Sequence, residues 1–148
     1  PEDDTPKVST QRVNPGMHSD MVTNFETGVF YVSNYHPLYG DVMLSIFEKK
    51  EDDSVEEKEV VILDGKPDNC KILGNPNGFR GGCNAAGDDV GWYTAIDLDP
   101  SKKVVHVTYY DKTNYSLKYV TYNLETKTVG SPEIVDEGQK CVKKEKEI

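Results

Sequence analysis

The chain has 148 residues, the length of one ordinary domain, with 36% apolar and 29% charged residues, enough to build a core without cross-links or a metal. Its formal net charge of -9 excludes unaided nucleic-acid binding, because neutralising phosphates requires clustered Lys and Arg. No apolar run approaches the roughly 20 residues of a membrane-spanning helix.

Residues 1–12 are polar and without periodicity, which predicts a mobile arm, and the opening Pro1-Glu2-Asp3-Asp4 reads as a processed or truncated end. A single β domain is expected over 13–142. Its first unit, 16–65, carries strand signals at 17–25, 29–35, 41–47 and 59–63 and closes on Leu63-Asp64-Gly65. Only the charged stretch 48–59 has a composition open to a long helix, so the class is all-β.

Residues 65–90 are rich in glycine, with Pro67 and Pro76, and predict a long loop, functional or pinned. Of the three cysteines, Cys70 and Cys83 make the economical disulfide pair across this loop, leaving Cys141 free or intermolecular. Their spacing matches no zinc pattern.

The second unit, 91–138, alternates Trp92, Thr94, Ile96 and Leu98 with Tyr93, Ala95 and Asp97, then turns at Asp99-Pro100-Ser101. A β-branched and aromatic strand follows at 104–110. After the turn 111–114 comes a run with Leu117, Tyr119 and Thr121 on one face, then a short fourth strand at 133–135. Asn114-Tyr115-Ser116 is an N-glycosylation sequon, which together with the disulfide reading predicts a secreted or cell-surface protein. Residues 143–148 form a charged tail in which Lys143, Lys144 and Lys146 alternate with Glu145 and Glu147.

A shift of 75 residues pairs Gly16 with Gly91, Val29 with Val104, Val32 with Val107 and Tyr35 with Tyr110, and it brings the strand and turn positions of the two halves into coincidence. This predicts an internal duplication, two consecutive four-stranded antiparallel meanders.

The runs from Val90-Gly91-Trp92-Tyr93-Thr94 through Asp99, Val105-His106-Val107-Thr108-Tyr109-Tyr110-Asp111 and Ser116-Leu117-Lys118-Tyr119 resemble the blade repeat of sialidase-like extracellular β-propellers. The first unit matches more loosely, with Tyr31-Val32-Ser33-Asn34-Tyr35-His36 at the aromatic strand. The resemblance implies blade-like units, and it informs fold more than activity. Propellers close with about 4 to 8 blades, so two blades leave open flanks. The chain is therefore expected to self-associate, to pack its sheets face to face, or to serve as the partner chain of a larger propeller.

Three functional readings follow. The first is a noncatalytic extracellular binding or assembly module that recognises a glycan or protein through rim loops, with Trp92, Tyr93, Tyr109, Tyr110, Phe79 and Arg80 as contact residues. The second is a propeller-type carbohydrate-active enzyme such as a polysaccharide lyase, with His36 and Tyr39 as acid and base, a role implied by a distant likeness to such lyases. The third is a structural surface protein joined through Cys141. Within a strand, His106 is expected to pack or pair across it, and His18 to lie exposed. Asp88 and Asp89 are the weak calcium candidates; no cofactor is otherwise indicated. With no Ser-x-Asp-x-Gly-x-Thr-Trp box, and Arg12 and Arg80 the only arginines, a sialidase site is not expected. Nucleophile-elbow, P-loop and dinucleotide motifs are all missing.

Overall fold

A computed structural model of the chain describes residues 16–37, 40–65 and 87–138. The expected N-terminal arm, the Cys70–Cys83 disulfide, Phe79, Arg80, Tyr39, Cys141 and the charged tail lie outside the described residues. Among those that are described there is no helix, and the fold is two antiparallel sheets.

The first sheet is a meander in the order β1 (Asp20–Asn24), β2 (Val29–His36), β3 (Asp41–Lys49) and β4 (Val55–Asp64). In the second, β5 (Val90–Leu98), β6 (Val104–Asp111) and β7 (Ser116–Asn123) are neighbours in turn, and β8 (Thr128–Val129) and β9 (Glu133–Asp136) both pair with β7. The charged stretch 48–59 is thus not helical. It forms the β3–β4 hairpin, with Asp53 at a positive φ of 66° and the Asp52 carboxylate accepting from the Ser54 amide at 3.0 Å. Glu48 and Glu56 face each other across that hairpin, and the Lys58 ammonium, 3.8 and 3.5 Å from their carboxylates, offsets the repulsion.

The second sheet differs from the expected four strands because its last strand is interrupted. β8 and β9 flank Gly130, Ser131 and Pro132, and proline cannot donate to the ladder. Gly130 packs so tightly on β7 that a Cβ there would meet the Thr121 hydroxyl, and its amide donates to the Thr121 carbonyl at 2.8 Å.

The 75-residue relation extends to strand register. Asp20↔Ser33 in β1–β2 becomes Ala95↔Thr108 in β5–β6. Val29↔Glu48 and His36↔Asp41 in β2–β3 become Val104↔Asn123 and Asp111↔Ser116 in β6–β7. Even the first hairpin turn repeats, with Thr27 donating to the Asn24 carbonyl and Lys102 to the Asp99 carbonyl.

The sheets pack face to face around one core. The first contributes Tyr31, Val42, Leu44, Ile46 and Leu63; the second contributes Val90, Val105, Val107, Tyr109, Val120 and Tyr122. Removing this apolar surface from water, at about 25 cal/mol per Å², is the main force holding the sheets together. At the seam the Thr94 hydroxyl donates to the His18 carbonyl at 2.6 Å and accepts from the Ser33 hydroxyl at 2.8 Å. Close approach there depends on Gly91, at φ 98°, where a Cβ would lie 2.8 Å from the Val42 Cα.

Candidate functional site

In a meander, alternate connections open at the same end of the sheet. The β2–β3 turn, the start of β5 and the β6–β7 turn accordingly share one rim, tied by Val90 N to the Gly40 carbonyl at 2.9 Å and Lys112 N to the Asp89 carbonyl at 2.8 Å. Two side-chain clusters are built there.

The first is aromatic. His18 lies against Trp92 (ring centroids 4.8 Å apart), Tyr93 (4.6 Å, edge-on) and Tyr35 (5.8 Å), and Tyr35 contacts Trp92 at 5.5 Å. Asp89 holds the group from beneath: buried, it accepts from the Tyr35 hydroxyl at 2.7 Å and the Trp92 indole N–H at 3.1 Å through the same oxygen, Oδ1. Its amide in turn donates to the Thr113 hydroxyl at 2.7 Å. The Lys112 ammonium sits 4.3 Å from the Trp92 ring centroid, a cation–π contact. Tyr93 crowns the cluster with 68% of its surface exposed. His18, expected to be exposed, is half-buried instead, because the ring fills the space between Tyr35, Trp92 and Tyr93.

His18 and Tyr93 occupy equivalent positions of the two units, and both adopt a positive φ, 51° and 52°. In β5 the left-handed residue sits within a pairing irregularity between Trp92 and Ala95, which turns the Tyr93 side chain away from the core. A left-handed conformation costs a non-glycine residue about 1–2 kcal/mol, so here it is maintained by the surrounding contacts.

The second cluster is polar and spans the sheets. Asp64 Oδ2, at the end of β4, accepts from the Tyr109 hydroxyl and the Lys118 ammonium, each at 2.6 Å. Lys118 also lies 3.7 Å from the fully buried Asp111, whose carboxylate accepts from the Asn114 amide and side chain at 2.9 Å. Burial, reinforced by Asp64, pushes the Tyr109 phenol far above its ordinary range. Tyr109, expected among the contact residues, is therefore part of the core: the alternation that turns Val105 and Val107 inward takes it with them.

The other candidates fall in different places. Tyr110 is half-buried on the opposite face of β6. His36 closes β2 opposite Asp41, with its pKa lowered by burial. His106 pairs across strands with Tyr119, its Nδ1 2.6 Å from the phenol oxygen and the rings stacked. Asp88 is exposed and accepts from the Asn114 side-chain amide at 3.0 Å, so the sequon asparagine braces this rim. No group of three or more His, Cys, Asp or Glu placed to hold a metal occurs among the described residues.

Sequence reasoning singled out Trp92, Tyr93 and Asp89 but not their partners Tyr35, His18 and Lys112. The Gly16–Gly91 equivalence was the available signal for His18, since it aligns His18 with Tyr93. No protein-family model, curated protein or solved structure matches this chain.

Proposed function

We propose that the chain is a noncatalytic recognition module that seats a glycan on the aromatic rim, with Tyr93 as the stacking surface. The observation that carries this reading is an exposed tyrosine in a costly left-handed conformation, its ring against His18 and against Trp92, whose indole N–H is in turn held by Asp89. A rigid ring loses little entropy on binding, and its apolar face suits the C–H face of a pyranose. Asp88 and Lys112, exposed nearby, supply an acceptor and a donor for sugar hydroxyls.

The test is a glycan array followed by titration calorimetry on the best ligand. Tyr93→Ala is expected to weaken binding about tenfold or more, as for an interface hot spot, with the ligand recovered intact. Equal affinity in Tyr93→Ala, or cleavage of the ligand, would overturn the reading.

A further inference from the structure

The 75-residue relation has a consequence for how the two sheets meet. The first sheet buries Tyr31, Ser33, Val42, Leu44 and Ile46 against the second. Their equivalents, His106, Thr108, Leu117, Tyr119 and Thr121, lie on the outward face of the second sheet. Conversely, the second sheet buries Ile96, Val105, Val107 and Tyr122, whose equivalents Met21, Phe30, Val32 and Phe47 form the outward face of the first. The contact is thus head to tail: one kind of face meets the other kind, and one of each remains outward.

The outward face of the first sheet is apolar and partly open to water. Met21, Val32, Ser45 and Val60 form one cross-strand row, exposed at its two ends (Met21 59%, Val60 44%) and buried at Ser45; Phe30 and Phe47 form the row on one side, both half-buried, and Asn34 and Met43 the row on the other, both buried. The second sheet's outward face presents Thr108, Tyr119 and Thr121 methyls and rings, with Leu117 exposed at 42%. A heterologous contact closes into a ring when its rotation allows, and otherwise propagates.

We propose that a second copy of this chain covers the first sheet's outward face with the outward face of its own second sheet, continuing the interface already formed within the chain. Successive copies close a ring of alternating units, and the 4 to 8 units typical of such closed arrangements correspond to two to four chains.

The experiment is sedimentation analysis of the full chain and of two variants, Val32→Glu on the first face and Thr108→Glu on the second, with circular dichroism as the folding control. The wild type is expected as a discrete assembly of two to four chains, and each variant alone as a folded monomer. An equimolar mixture is expected to give a dimer, because each variant keeps the face the other has lost; a misfolded variant could not do this. A wild type that stays monomeric, a variant that assembles like wild type, or a mixture that yields no dimer would each overturn the proposal.

Discussion

Replacing Lys118 with methionine removes the one cation that, among the described residues, stands between Asp64 and Asp111, while keeping the length and packing of the side chain. The lysine side chain is 14% exposed, and those of Asp64 and Asp111 are 19% and 1% exposed, so two carboxylates would remain near the sheet–sheet boundary without their counter-charge. Removing one partner of a buried pair costs about 3–5 kcal/mol, because the remaining charge has lost its compensation. Asp64 can draw on some water and Asp111 keeps the two Asn114 donors, which places the loss near the lower end, at about 3 kcal/mol. With a urea slope of about 2 kcal/mol/M the unfolding midpoint should fall by about 1.5 M, read by tyrosine fluorescence or circular dichroism. Adding Asp64→Asn should recover part of that loss, with a coupling of about 1–3 kcal/mol in the double-mutant cycle. A loss under about 1 kcal/mol, or strict additivity, would refute the idea that this ion group ties the sheets together.

Gly91→Ala should cost more than about 2 kcal/mol in chemical denaturation, since it combines a left-handed backbone with a Cβ pressed on the Val42 backbone. Tyr93→Gly should shift stability by less than about 1 kcal/mol: relief of the left-handed strain, about 1 kcal/mol, is offset by ring contacts with His18 and Trp92 worth about 0.5–1.5 kcal/mol. Hydrogen bonds from the Ser101 side chain and the Val104 and Lys103 amides hold Asp99 down to about 2, so its NMR titration midpoint should lie there and rise in Ser101→Ala. A depressed carboxylate pKa means the Asp99 turn contributes its stability in full above pH 4, and the contribution fades as pH falls toward 2. His36, with a pKa lowered by burial, works in the same direction at higher pH: stability should begin to decline as pH drops below about 6.5, where the unfolded imidazole takes up its proton first, and His36→Gln should flatten that part of the curve.

Much of the architecture was legible because β structure writes itself locally. Period-two alternation and turn residues located β2, β3, β6 and β7, and the equal spacing of these signals in the two halves anticipated the shared register. Alternation also separates Tyr109 from Tyr110, but it does not say which of them faces the other sheet; that depends on which face is apolar over three strands at once. The break between β8 and β9 was signalled by Gly130 and Pro132 and could have been anticipated. The site was harder. Asp64 and Lys118 are 54 residues apart and Tyr35 and Asp89 also 54, so these contacts follow only once the sheets have been stacked with a definite offset. No rule of composition places a tyrosine or a histidine at a left-handed position, where glycine is the expected residue.

The asymmetry between the two units locates the candidate site. The same left-handed position recurs in both units, at His18 just before β1 and at Tyr93 within β5, so it is the conformation together with the exposure of its side chain that singles out Tyr93. What differs is the company each residue keeps. His18, in the first unit, is enclosed because the second unit begins beside it, and its buried Nε2 has no hydrogen-bond partner among the described residues. Tyr93, in the second unit, has His18 on one side and solvent on the other. If a second copy stacked on the outward face of the second sheet, its own first strand would approach Tyr93 as the second unit approaches His18. Ligand seating and assembly would then meet at one residue, and glycan affinity should change with protein concentration: competition between the two lowers affinity as the assembly forms, and a site completed by the neighbour raises it.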